Sequence, residues 1–212
     1  MAVALILGST GLTGKYVLQK TLADDFFTEV IVLVRRPLEL THPKLKVMLT
    51  DFSSIPPLRA DVVFSCLGTT KKKTPDTKMY RFIEVGIPVE VAKNTIGLQQ
   101  FHYISAIGVG PNAINSYTRN KWEAETQISA LGIPSVYHYR PSLIFGDRDE
   151  KRLAEDISNV VFRWIEPLFA GGLRKYKRIR AETIAKAMIR NSKAPKPGNH
   201  VLESDQIQEL GG

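Results

Sequence analysis

The sequence predicts a doubly wound α/β fold, a parallel sheet with helices on both faces. Three observations carry that expectation. A short apolar run, Ala2 to Leu7, breaks into glycines at positions 8, 11 and 14. A second run, Val30 to Val34, is apolar throughout, as expected of a strand covered on both sides. The order strand, helix, strand, strand and strand again then suits a doubly wound sheet better than a barrel or a sandwich, with no repeat or low-complexity linker to divide the chain.

Taken in order, Ala2 to Leu7 is the first strand, and Leu12 to Ala23 a helix with Val17, Leu18 and Leu22 facing inward and Thr10 as its candidate cap. Val30 to Val34, Lys44 to Leu49 and Asp61 to Leu67 are the next strands. Asp76 to about Leu98 has a helical pattern interrupted by Gly86 and Pro88. Proline is tolerated in a first helical turn, so a helix is expected from near Pro88 with a looser segment before it. Phe101 to Ser105 is a strand, Ser116 to Leu131 a helix stopped by Gly132, and Ser135 to Tyr139 the sixth strand. Beyond it, Leu153, Ile157, Val160, Val161, Trp164, Ile165 and Leu168 recur at spacings of three and four, the mark of an amphipathic helix. Ala181 to Asn191 is a further helix, and His200 to Glu203 a short final strand.

Bulk properties narrow the class. The 212 residues allow one sizeable core, and no apolar run reaches the ~18 residues of a membrane span. Cys66 is the only cysteine, which excludes an internal disulfide and leads to the expectation of a cytoplasmic, reducing compartment. The four histidines show no metal-binding spacing, so no metal site is expected. The net charge of +8 is concentrated in two clusters, Lys71 to Lys73 and Arg174 to Arg180. Neither belongs to a recognisable nucleic-acid module, so both are taken as solvated loops and nucleic acid is not an expected partner.

The chemistry begins at the glycines. An apolar strand entering a glycine-rich turn that opens a helix is a dinucleotide signal: glycine permits the tight turn, close backbone approach to a pyrophosphate, and close packing of the helix. A phosphate-loop reading fails, because the position that needs glycine before Gly14-Lys15 is Ser9 and the residue after Lys15 is Tyr16. At the end of the second strand an acidic residue would bind the ribose 2′-hydroxyl of NAD. Arg35 and Arg36 stand there instead, and guanidinium groups match the 2′-phosphate of NADP, so NADP(H) is expected in preference to NAD(H).

Tyr117 and Lys121 lie four apart on the expected Ser116 to Leu131 helix, hence on one face, and Ser105 ends the strand before it. Hydride transfer to a carbonyl needs a proton donor for the developing alkoxide. A free tyrosine, with a pKa of about 10, is a poor one at neutral pH; a neighbouring ammonium favours its phenolate. Ser105 would hold the substrate oxygen.

With these residues in view, the chain resembles a short-chain dehydrogenase/reductase, and more narrowly the atypical, NADP-binding branch that includes the Tat-interacting oxidoreductase-like proteins. The matching stretches are Gly8-Ser9-Thr10-Gly11-Leu12-Thr13-Gly14, Val34-Arg35-Arg36-Pro37, Asp51-Phe52, Cys66-Leu67-Gly68-Thr69-Thr70, Tyr103-Ile104-Ser105-Ala106, Tyr117 with Lys121, and Tyr139-Arg140-Pro141-Ser142. The resemblance implies a Rossmann-like, three-layer α/β/α domain. Residues 1–146 would form the cofactor-binding core and 147–212 a short C-terminal substrate region. It implies that Gly8 to Gly14 cradle the pyrophosphate, that Arg35 and Arg36 hold the 2′-phosphate, and that Asp51 and Phe52 lie beside the adenine. Cys66, Leu67 and Gly68 would follow the strand lining the nicotinamide ribose, whose hydroxyls Lys121 would bond. Arg140, Pro141, Ser142 and Leu143 would bring backbone to the nicotinamide, with Ser105 and Tyr117 carrying proton transfer. The short region after Gly146 argues against enclosing a substrate as large as a nucleotide sugar. The expected function is NADP(H)-dependent oxidation or reduction of a small carbonyl or alcohol. The rival is a redox-sensing module that binds NADP(H) and presents a surface to a protein partner. Oligomeric state stays open.

Overall fold

A computed structural model describes residues 1–146 and 176–212. The amphipathic helix expected around Trp164, and Arg174 and Lys175 of the second basic cluster, lie outside the described residues.

The centre of the fold is a seven-stranded, wholly parallel sheet. Its strands are β1 (Ala2–Leu7), β2 (Phe27–Val34), β3 (Leu45–Leu49), β5 (Val62–Ser65), β7 (Gln100–Ile104), β8 (Ser135–Arg140) and β11 (Gly198–Glu203). In space they run β11-β8-β7-β5-β1-β2-β3. The chain therefore winds outward in one direction from β1 and then in the other from β5. The crevice above their carboxyl ends is the switch point where α/β proteins place ligands.

Alternation within each strand divides the core between the two faces. Ala4 and Ile6 of β1 pack with Val17 and Leu18 of α1 (Gly14–Ala23) and with Ile184 and Met188 of the C-terminal helix Ala181–Lys193, named α5 below. Leu5 and Leu7 face the other way, onto Val85, Ile87 and Val91 of the segment preceding β7 and onto Ala124 and Ile128 of α4 (Ser116–Ser129). A three-layer sandwich follows from this pattern, as expected of runs that are apolar on both sides.

Several boundaries differ from the expectation for local reasons. The first helix begins at Gly14, because Leu12 and Thr13 complete the turn; its cap is Thr13, with no side-chain cap bond, rather than Thr10. The stretch around Gly86 and Pro88 is not a looser segment. Helix α2 (Thr77–Arg81) runs through a π-helical turn, Phe82–Gly86, into α3 (Ile87–Asn94). The wider turn ends where Pro88 enters the first turn of α3, which needs no N–H from it. Two-residue pairings, β4 (Leu58–Arg59) with β6 (Thr95–Ile96) and β9 (Ile144–Phe145) with β10 (Ile179–Arg180), are too short to carry a pattern. The final helix α6 (Ser204–Gly211) starts with a reciprocal capping box between Glu203 and Gln206.

Candidate active site at the switch point

Along the carboxyl edge of the sheet three clefts share walls. The first, about 460 Å³, is lined by Gly8, Ser9, Thr10, Arg35, Arg36 and Phe52 among others. The second, about 310 Å³, shares Arg35, Phe52 and Leu67 with it and adds Asp51, Gly68 and Lys73. The third, about 720 Å³, meets the second at Thr69 and is walled by Lys71, Tyr80, Tyr117 and Arg119. A larger depression, about 900 Å³, opens between α1 and α5 and includes Asp24, Arg190 and Lys193. It lies beside the loop that leads into β2, away from the glycine turn, and collects none of the expected site residues.

The glycine turn is built by close approach. Gly8 has φ of +73°, and a Cβ there would stand 2.7 Å from the Cys66 carbonyl oxygen. A Cβ on Gly14 would meet the Gly8 oxygen at 2.0 Å. Only glycine fits at either place. The Gly11 N–H closes the turn on the Gly8 carbonyl at 2.9 Å. Ser9 is buried, and its hydroxyl has no partner among the described residues. No side chain caps α1, so the unpartnered Ser9 hydroxyl stands beside an uncapped, positive helix end, the arrangement that receives an anion.

Arg35 and Arg36 emerge exposed directly after β2. Phe52 is buried in the left-handed region at φ 64°, a costly conformation for an aromatic residue, and its ring lines both neighbouring clefts. Beside it the Asp51 carboxylate accepts from the Ser53 hydroxyl and N–H at 2.7 and 2.8 Å, which lowers its pKa below the ordinary value. Leu67 and Gly68 follow β5 into the second cleft. The Cys66 thiol is pushed up to about 12 by burial, against the opposing pull of Lys121, so it is no nucleophile at neutral pH.

Ser105 stands at the end of β7, buried, with its hydroxyl unpartnered among the described residues. The residue before it, Ile104, offers its carbonyl to the Lys121 ammonium at 2.9 Å. The same ammonium lies 4.7 Å from the Tyr103 ring and 6.0 Å from the Tyr117 ring. It also pairs at 2.9 Å with Glu84 Oε2, a carboxylate from the π-helical turn that is completely buried. Glu84 escaped the sequence reading, because a lone acidic residue in a helical stretch reads as a solvated position. Burial alone would lower the Lys121 pKa; the Tyr103 and Glu84 oxygens around it more than offset that and hold it above the ordinary lysine value. The Tyr117 phenol is raised as well, chiefly by burial, with Lys121 opposing and Glu84 adding. Lys121 thus pulls the Tyr117 phenol down as expected, but burial first, and the Glu84 carboxylate second, outweigh that pull in this arrangement.

Past β8, the side chains turn away from the clefts. Arg140 grips Glu125 through two hydrogen bonds of 3.0 and 2.6 Å and lies 3.7 Å from Glu203, so its guanidinium serves the fold. The Ser142 hydroxyl donates to the Lys177 carbonyl. The Pro141 carbonyl accepts from Ile107 N–H and the Leu143 carbonyl from Ile179 N–H. In the second basic cluster, the guanidinium groups of Arg178 and Arg180 lie 5.4 and 5.3 Å from the Phe145 ring. Among the described residues no group of three or more metal-ligating side chains occurs, and no helix is long and apolar enough to cross a membrane.

Comparison with known proteins agrees with this fold. No family model matches the chain. The chain is 28% identical over 217 residues to Protein HTATIP2 of Rattus norvegicus, covering 97% of itself and 88% of that protein. It is 30% identical over 203 residues to Protein fmp52, mitochondrial, of Aspergillus niger, covering 89% and 86%. Among solved structures, a short chain dehydrogenase family protein from Francisella tularensis superposes with a TM-score of 0.67 at 16% identity, covering 97% of this chain and 98% of that one. MoeE5 in complex with UDP-glucuronic acid and NAD superposes with a TM-score of 0.68 at 18% identity, covering 94% and 75%. The fold is theirs. The cytoplasmic expectation is corrected here: several relatives are named mitochondrial, and a lone thiol excludes an internal disulfide without distinguishing one compartment from another. With the glycine turn, the strand-end serine and the Tyr117–Lys121 helix face all in place, and the relatives alike over nearly their whole length, the chain belongs to the atypical short-chain dehydrogenase/reductases, in the branch of Protein HTATIP2 and the fmp52 proteins.

Proposed function

We propose that the chain is an oxidoreductase that binds NADP(H) along the connected clefts and transfers hydride to or from a small carbonyl or alcohol substrate. The observation that carries this reading is the convergence on one strand end. Lys121 bonds to Ile104, Ser105 follows with a buried unpartnered hydroxyl, and Tyr117 stands beside the ammonium. MoeE5, whose fold this chain shares, binds NAD. The glycine cradle, the unpartnered Ser9 hydroxyl and the uncapped positive end of α1 fit a dinucleotide pyrophosphate. Exposed Arg35 and Arg36 fit the 2′-phosphate, which favours NADP(H) over NAD(H).

In this reading Asp51 and Phe52 flank the adenine, while Leu67 and Gly68 line the nicotinamide ribose. Pro141 to Leu143 approach the nicotinamide through backbone alone. Residues 1–146 form the cofactor core and 147–212 the substrate region. The bound cofactor supplies or accepts the hydride. The Tyr117 phenol gives its proton to the carbonyl oxygen in reduction and recovers it as phenolate in oxidation, and the Ser105 hydroxyl bonds to that oxygen. Lys121 keeps a positive charge beside both.

The test is NADPH oxidation across aldehydes, ketones and quinones, with Tyr117→Phe as the control. Turnover that falls by about 100-fold or more in that variant supports the reading. Tight NADPH binding with no turnover on any substrate replaces it with the cofactor-sensing alternative.

A further inference from the structure

The catalytic reading leaves one buried group unused. Glu84 has no exposed surface and sits in the only π-helical turn among the described residues. It makes three contacts that join three elements. Its Oε1 accepts the Thr69 N–H at 2.7 Å, from the loop after β5. Its Oε2 stands 2.9 Å from Lys121 Nζ on α4. Its backbone carbonyl accepts the Tyr103 hydroxyl of β7 at 3.1 Å. A buried ion pair is a poor device for stability, since desolvation of both charges offsets much of their attraction. A π-turn inserted in a helix recurs at functional sites. Here the turn delivers a carboxylate to the lysine that stands beside Tyr117.

We infer that Glu84 is a positioning residue: it fixes the Lys121 ammonium and the Thr69 loop to one carboxylate, and thereby sets how much of the lysine's charge the Tyr117 phenol feels. The inference rests on the reading of Tyr117 as acid and base. An uncompensated cation at the observed 6.0 Å would favour the phenolate. With a carboxylate 2.9 Å from that cation, the pair presents a dipole in place of a net charge. The buried neighbours do not supply a second charge. Tyr80 on α2 and the Cys66 thiol after β5 are each pushed up to about 12, Tyr103 on β7 is raised further, and all three are neutral at physiological pH. Lys71 and Arg119 line the solvent side of the Tyr117 cleft and are unchanged by substitution at Glu84. Glu84 thus tempers the pull of Lys121 on Tyr117, adding to the burial that holds the phenol protonated for carbonyl reduction, and lets Lys121 stay charged in a dry site.

The experiment is a pH titration of protein carrying 13C-labelled tyrosine, without cofactor or substrate, with the Tyr117 signal assigned by its loss in Tyr117→Phe. In Glu84→Gln the phenol of Tyr117 is expected to ionise about one pH unit or more below its midpoint in the unmodified chain. Glu84→Asp, which retracts the charge by one methylene, should move the midpoint the same way by a smaller step. An unmoved midpoint in both variants overturns the inference, as does an unmoved midpoint in Glu84→Asp where Glu84→Gln does not fold. A Tyr117 that stays un-ionised to the same pH in all three proteins overturns it too. Turnover separates this from the catalytic reading. If Tyr117 shifts but no carbonyl is reduced, the catalytic reading falls and the electrostatic one holds. If carbonyls are reduced, the high-pH limb of kcat for Glu84→Gln should move down with the phenol.

Discussion

Arg140 and Glu125 close on each other through two parallel hydrogen bonds, Nε to Oε1 at 3.0 Å and Nη2 to Oε2 at 2.6 Å, where β8 ends and α4 passes. The same helix carries Tyr117 and Lys121, so this fork helps to set the height of both over the sheet edge. Such planar, bidentate pairing is available to arginine and not to lysine.

Arg140→Ala is therefore expected to destabilise the fold by about 3 kcal/mol, because it strands the largely buried Glu125 carboxylate. Arg140→Lys should recover only part of that loss. Urea unfolding measures it. NADPH affinity of the folded variants should stay within about threefold of the parent, since the guanidinium faces Glu125 and Glu203 rather than the glycine turn. A large affinity loss at full stability would mean that Arg140 touches the cofactor.

The three glycines of the turn should not respond alike. A Cβ on Gly14 falls 2.0 Å from a backbone oxygen that cannot move aside, whereas one on Gly11 falls 3.1 Å from the same oxygen. Gly14→Ala is expected to cost roughly 3 kcal/mol or more and to weaken NADPH binding with it. Gly11→Ala should cost under about 1 kcal/mol. Thermal unfolding and cofactor titration of the two variants check the contrast.

Those glycines also show what a sequence can reveal. Gly8, Gly11 and Gly14 announce their role through local spacing, as do the doubly apolar runs of β1 and β2, because strand, turn and helix are all encoded within a few residues. A doubly wound parallel sheet with a cofactor turn after its first strand follows from that; the order of the seven strands, set by pairing between distant parts of the chain, does not. Glu84 carries no such signal: its burial is set by contacts with Lys121 and Thr69, which come from other parts of the chain. The fork of Arg140 is hidden for the same reason, and the matching Tyr-Arg-Pro-Ser stretch drew attention to the cofactor instead. Helix α6 went unread because its cap is Glu203, outside the usual Ser, Thr, Asp and Asn, and because it is only 8 residues long.

Arg35 and Arg36 stand exposed with no hydrogen bond or ion pair among the described residues, so their removal should leave the fold intact and report on the ligand alone. Arg35→Ala/Arg36→Ala is expected to weaken NADPH binding by about 100-fold, the order of one or two lost hydrogen bonds to a charged group. NADH binding should change by less than about threefold. Isothermal titration with both cofactors decides, and equal losses would remove the preference for NADP(H).

Stability should fall in mild acid because two histidines are buried in the neutral form. His102 lies in the core between β7 and α5, joined through Tyr139 to Asn191 at 3.0 Å and through Gln100 to the Ser192 carbonyl at 3.1 Å. Burial lowers its pKa to about 3. His138 pairs with the Ser129 hydroxyl at 2.8 Å and is lowered to about 4, chiefly by burial, with Glu125 opposing and Arg140 reinforcing. Both folded-state values lie below the ordinary 6.5, so the unfolded chain binds more protons between them. Their contribution is complete above about pH 6.5 and declines as pH falls toward 4, by roughly 1.4 kcal/mol per unit for each histidine. Replacing His138 with glutamine, which keeps a donor for Ser129 without a titrating ring, should roughly halve the histidine part of that slope. Urea unfolding at pH 7, 6 and 5 measures it, and an unchanged slope in His138→Gln would mean that this ring is already protonated in the folded chain.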